Sequence, residues 1–141
     1  MLLYSVNIVF ANEVIIESRD INISDNGNKI IGSEGVANSI KDGLTIKAGN
    51  FDYNKNTSIL LANQNAKATM VEKKIVIYAD KFIFNENLST LDAEGNVEVF
   101  DSGNGITIIS NKIFYNINQN KIESKSPSEI KDKLGNSLLS K

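Results

Sequence analysis

The chain has no cysteine, no histidine and no tryptophan, and a single proline, Pro127. Without cysteine there is no disulfide staple and no thiol chemistry, and either redox compartment is open to it. Without histidine the usual general base, the commonest metal ligand and any Ser-His-Asp triad are excluded. Lys and Arg together number 15 against 17 Asp and Glu, a net charge of −2. Charges this balanced and interspersed read as a solvated surface and give nucleic acid no electrostatic footprint. The carboxylates do not recur as an inward-facing pair beside a nucleophile. Asp101-Ser-Gly-Asn-Gly105 lacks the spacing and closing Glu of a calcium-binding helix–loop–helix. No catalytic residue, metal site or cofactor is expected, and the chain reads as a non-enzyme.

What the chain does have is Ile in strands, Asn in turns, and a repeat. Ile16-Glu-Ser-Arg-Asp-Ile-Asn-Ile23, Ile46-Lys-Ala-Gly-Asn-Phe-Asp-Tyr53, Ile77-Tyr-Ala-Asp-Lys-Phe-Ile-Phe84 and Ile108-Ile-Ser-Asn-Lys-Ile-Phe-Tyr115 align. Their small residue recurs at 18, 48, 79 and 110, steps of 30 (48−18), 31 (79−48) and 31 (110−79). Self-similarity of this kind means one supersecondary unit stacked on copies of itself, each burying a face it could not bury alone. A second arm follows each: Ile31, Leu60, Leu91 and Ile122, with Ser33, Ala62, Ala93 and Ser124 two residues on. The first unit runs out of step by about one residue.

Apolar and polar residues alternate, the period of a half-buried strand. Asn26-Gly27, Asp42-Gly43, Asn54-Lys-Asn56, Asn85-Glu-Asn87, Gly103-Asn-Gly105 and Asn116–Asn120 punctuate them with residues that tolerate positive φ. Each unit is therefore a long hairpin. Within the first arms the alternation slips. Ile46 and Ala48 are even, Phe51 and Tyr53 odd; the same shift recurs at Ala79/Phe82 and Ser110/Ile113. Keeping both pairs on one face requires an extra residue at 49–50, 80–81 and 111–112, a bulge or corner at one level of every unit. A sheet bent this way folds over on itself. The expected fold is all-β, a twisted antiparallel jelly-roll or flattened barrel of four units of about 31 residues, open at both ends. The rival is a parallel β-solenoid with one repeat per coil.

The order Ile-x-Ala-x-x-Phe-x-Tyr-Asn, Leu-x-Ala, Gly-Asn-Val, carried best by residues 46–54 and 77–99, resembles the OstA-like domain of lipopolysaccharide-transport proteins. The resemblance spans about Ile15 to Ile130. It departs in the first unit, where Ile21 and Ile23 replace the aromatic pair, and in the last, where Pro127-Ser-Glu replaces Gly-Asn-Val. The family includes a soluble periplasmic bridge protein (LptA type) and the N-terminal domain of an outer-membrane translocon (LptD type). The resemblance implies periplasmic transport of lipopolysaccharide toward the outer membrane along an apolar groove. It also implies end-to-end strand pairing with homologous jelly-rolls or copies of the chain.

Three segments are expected. Residues 1–11, uncharged and too short to span a bilayer, end in Val9-Phe-Ala11 like a signal-peptide remnant with small residues at −3 and −1; an ordinary first strand is the alternative. Residues 12–131 form the jelly-roll, and 132–141 a polar tail, frayed or truncated. The groove is assigned to Ile46, Ala48, Phe51, Tyr53, Leu60, Ile77, Ala79, Phe82, Phe84, Leu91, Val97, Val99, Ile108, Ile113 and Tyr115. Lipid A acyl chains suit it, because each buried methylene contributes about 0.8 kcal/mol without any polar code. Small side chains at 48, 62, 79, 93, 110 and 124 leave room between the sheets. Lys47, Lys81 and Lys112 flank inward positions and suit lipid phosphates or plain solvation. The exposed edges are expected near Ile15–Ile23 and Ile106–Tyr115. The competing functional reading is a structural or adhesive β-repeat protein, solenoid-like, with a packed core and no ligand.

Overall fold

A computed structural model describes residues 6–11 and 13–140. Residues 1–5, 12 and 141, which include the start of the expected leader and one side of its cleavage junction, lie outside the described residues.

Eleven strands form one antiparallel sheet. They are β1 (Asn7–Ala11), β2 (Val14–Ser24), β3 (Lys29–Ser39), β4 (Leu44–Asn54), β5 (Ile59–Met70) and β6 (Ile75–Asn85). They continue with β7 (Thr90–Asp101), β8 (Ile106–Asn116), β9 (Lys121–Ser124), β10 (Ser128–Asp132) and β11 (Ser137–Ser140). From β1 to β8 each strand pairs with the next, and β8 pairs with both β9 and β10. Every described pairing is antiparallel, which rules out the solenoid.

The turns are built as the Asn-rich punctuation requires. Gly43, Ser58, Lys74, Ser89, Gly105 and Asn120, each the last residue of a four-residue turn, have φ between 50° and 68°. The residue before the turn caps it. Asn54 Oδ1 accepts from the Asn56 amide at 2.9 Å, Asn85 Oδ1 from Leu88 at 3.1 Å, and Asn116 Oδ1 from Gln119 at 3.1 Å. That is the physical content of the recurring aromatic-x-aromatic-Asn: a strand end followed by its own turn cap.

All the long strands bend midway. On β4 the buried positions run 44, 46, 48 and then 51, 53; on β6 75, 77, 79 and then 82, 84. The slip read from the sequence is therefore a real corner. The second arms solve the same bend differently. On β5 the buried positions run 60, 62 and then 66, 68, 70, and Gln64 and Asn65 between them have φ of 70° and 51°. On β7 Gly95 and Asn96 take that place with φ of 81° and 48°. The ladders shift register there, between Asn63/Ala66 and between Glu94/Val97. Gly95 is close-packed as well as left-handed: a Cβ on it would meet Asp80 Oδ2 at 2.4 Å, and Asp80 also accepts from Asn96 Nδ2 at 3.0 Å.

The bends divide the sheet into two wings. The first holds 7–11, 14–18, 35–39, 44–48, 66–70, 75–79, 97–101, 106–110, 128–132 and 137–140. The second holds 20–24, 29–33, 50–54, 59–63, 81–85, 90–94, 112–116 and 121–124. Three expectations need correction. In β3 the inward residues are Ile30 and Gly32; Ile31 is 45% exposed, so the first unit's alignment moves by one. The last edge is not β8, which β9 and β10 cover, and on β2 the half 14–18 is covered by β1. The reason is that both ends of the sheet finish in half-length strands. Part of the stretch read as a polar tail, Ser137–Ser140, pairs with β10 through the Asp132–Asn136 turn.

Candidate functional site: the inner faces and their seam

All the groove residues assigned from sequence lie on the inner faces, and none is more than 8% exposed. They are joined there by Ile16, the first unit's counterpart of Ile46, and by Val14, Ile30, Leu44 and Met70, which the repeat alignment did not single out. The two wings differ in kind. The largest buried rings, Phe51, Tyr53, Phe82, Phe84 and Tyr115, all sit on the second wing. The first wing presents Ala37, Ala48, Ala66, Ala68 and Ala79 among aliphatics. Phe84 and Leu60 of the second wing share one interior space with Val14, Ala37, Ser39, Leu44 and Ile46 of the first. The faces therefore pack ring against small residue. The room expected beside the alanines is taken up by rings. The space left there is too small to admit a water molecule, so the two walls are packed shut at this point.

The bend folds the far ends of the strands together, so that two rows of turns meet along a seam. From one row comes Glu86, at the β6–β7 turn. It is 5% exposed and accepts from Tyr53 Oη at 2.6 Å on its own wing. Across the seam its Oε1 accepts from the Glu13 amide at 3.1 Å, and its carbonyl accepts from Lys41 Nζ at 3.2 Å. One step along, Lys73 donates to the Ile117 carbonyl and lies 5.7 Å over the Tyr115 ring. Turn residues 40–43 and 72–73 line one depression with Ile117 and Asn118. Tyr115 donates to Asn120 Oδ1, and burial, then the nearby Asp101 carboxylate, pushes its pKa up to about 12. Nothing in the repeat pattern marks this seam, because its contacts join residues far apart in the chain. Glu86 reads locally as one more polar turn residue.

Small residues mark the bends. In the middle units these are Ala48 and Ala79. In the end units Ser18 Oγ donates to the Ser33 carbonyl at 2.5 Å, and Ser110 Oγ lies 3.0 Å and 2.8 Å from the Ser124 and Ser126 hydroxyls. Lys112, one of the flanking lysines, sits 3.6 Å from Glu94; Lys47 is exposed. Among the described residues no group of three or more Asp and Glu comes together to hold a metal ion.

At both mouths the inner face is left open. Ile23, on the half of β2 that β1 does not cover, is 53% exposed, and Leu138 on β11 is 66% exposed. The bare backbone edges, Asp20–Ser24 and Lys121–Ser124, lie on the same wing. On the second of these, hydrogen bonds from Lys121 and Lys125, at 2.9 Å each, hold Glu123 at a pKa of about 2.

This architecture, an antiparallel sheet bent over one apolar interior and open at both ends, is a twisted β-jelly-roll. The chain is similar to the crystal structure of LptH from Pseudomonas aeruginosa, described as the LptA-homologous periplasmic component of the conserved lipopolysaccharide transport device. The superposition has a TM-score of 0.65 at 11% identity and covers 79% of this chain and 80% of that one. At that identity the likeness is one of fold. No family model matches the chain, and no curated protein matches it.

Proposed function

We propose that this chain carries lipopolysaccharide in the periplasm toward the outer membrane, holding lipid A acyl chains between its wings. The observation that carries the reading is an apolar inner face running from Ile23 at one mouth to Leu138 at the other, with charged groups meeting the ring wall only at its ends, where Glu86 takes the Tyr53 hydroxyl and Lys73 lies over the Tyr115 ring. The fold's likeness to a component of a lipopolysaccharide transport device supports it. Among the described residues no helix is long and apolar enough to cross a membrane. Along the apolar part of the wall an acyl chain can slide, because every methylene buried is equivalent, at about 0.8 kcal/mol. The headgroup, too polar to bury, stays outside.

The partners are homologous jelly-rolls or copies of this chain, joined head to tail. On the second wing the strand register of the interior continues across the joint. Ile122 of one copy meets Ile23 of the next, as Leu60 meets Phe84 inside the chain, and Ser124 meets Ile21, as Ala62 meets Phe82. Main-chain pairing of bare edges supplies the affinity. Such an interface does not close on itself and extends with concentration.

The test is a photoreactive phenylalanine at Phe84, with one at Tyr78, exposed on the outer face of β6, as control. Lipopolysaccharide captured at 84 and not at 78 is the expected result; equal capture or none rejects transport. The closed interior favours one other reading, a structural or adhesive repeat protein with a packed core. Lipid-free protein recovered from cells making lipopolysaccharide would decide for that reading.

A further inference from the structure

A closed interior cannot be loaded as it stands and must part somewhere to admit a chain. Parting two of the long strands breaks backbone pairs along a ladder about ten residues long. Parting of the two turn rows breaks side-chain contacts at a few points. Glu86 gathers most of them: it is positioned by Tyr53 on its own wing and takes hydrogen bonds from Glu13 and Lys41 on the other. Lys73 on the Ile117 carbonyl makes the second point of closure. The outer lips of the seam are apolar, with Ile40 at 74%, Val71 at 78% and Leu88 at 63% exposure at the turn tips. Apolar tips standing in water beside a polar latch are what a hydrocarbon chain would meet first on its way in.

From this geometry we infer that the seam is a lateral gate for an acyl chain, with Glu86 as the positioning residue that latches it. The chain enters sideways between the turn rows while its polar headgroup remains outside, so no lipid has to be threaded through a mouth. The carboxylate of Glu86 is nearly buried and ties Tyr53 on its own wing to the Glu13 amide across the seam, so removing it loosens the latch while the Lys41 bond to the Glu86 carbonyl and the Lys73 bond to the Ile117 carbonyl remain. This inference rests on the transport reading for the identity of the ligand, and on the contacts alone for the existence of the gate.

The test uses the full chain, with amide hydrogen exchange and the rate of cis-parinaric acid uptake as separate readouts. Glu86→Ala is expected to speed exchange in the seam turns by about tenfold or more, the factor for losing one hydrogen bond to a charged group. Ladder amides of β5 and β6 stay as protected as in the parent, and uptake accelerates by a similar factor. Glu86→Gln, whose Oε1 can still accept from the Glu13 amide while its Nε2 donates to the Tyr53 hydroxyl, is expected to restore parental exchange. In this cysteine-free chain a bismaleimide bridge between Lys73→Cys and Asn118→Cys ties the rows together and is expected to stop uptake. Seam amides unchanged in Glu86→Ala, or ladder amides rising with them, overturn the gate. Undiminished uptake by the bridged protein also overturns it and leaves transport standing. Selective opening of the seam with no uptake by any variant upholds the gate and removes acyl chains as its cargo.

Discussion

The two wings come from the same strands and share one interior, yet they do different work. The second wing is a wall of rings, Phe51, Tyr53, Phe82, Phe84 and Tyr115, and ends at β2 and β9. The first wing is a bed of alanines and aliphatics and reaches one strand further at each end, to β1 and β11. Large groups on one side and small on the other is how two faces reach crystal-like density without voids. Putting the largest buried rings on one side also separates tasks. The ring wall carries much of the packing energy, while the alanine bed sets how closely the walls approach.

The sharpest way to break that comparison is to delete a ring. Phe82→Ala should cost about 3–5 kcal/mol by urea unfolding, against about 0.5–1.5 kcal/mol for Ile77→Val on the first wing. Equal losses would mean that the wings share the load. Next comes alkaline pH. The pKa of Tyr115, raised to about 12 when folded, means the unfolded chain gives up the proton first. Its contribution is complete below about pH 10 and disappears as pH climbs through 12, roughly 2–3 kcal/mol in all. Tyr115→Phe should flatten that limb of the pH–stability curve. Ala68→Leu, at 0% exposure in the first wing, should overpack the bed and cost about 1–3 kcal/mol. A neutral result would mean that the walls separate easily. The smallest effect on stability is at the mouth. Ile23→Lys should leave the midpoint within about 0.5 kcal/mol of the parent and abolish chain lengthening in sedimentation. Leu138→Lys, beyond the bare edge, should weaken it less.

Much of this was legible beforehand. The corner in β4, β6 and β8 showed in the sequence because one extra residue reverses the parity of the apolar positions. The corner in β5 and β7 was silent for the complementary reason. Two left-handed residues are inserted at 64–65 and 95–96, and an even insertion leaves alternation intact. The inward set was legible because burial follows alternation once the corner is known. The filling of the interior was not, since small residues at 48 and 79 are equally consistent with an empty groove and with a bed for rings. Glu86 and Lys73 were out of reach, because their partners lie across a fold that the repeat does not encode.

The half-length terminal strands carry a mechanical consequence. Each end of the molecule is a step rather than a flat face, cut back on one wing and built out on the other. Because the same wing is built out at both ends, copies set head to tail bring β11 of one against β1 of the next, and β9 can reach β2 across the joint only where those two half-strands give way. The half-strands are therefore bumpers, and the ease with which they peel back sets the threshold for stringing molecules together.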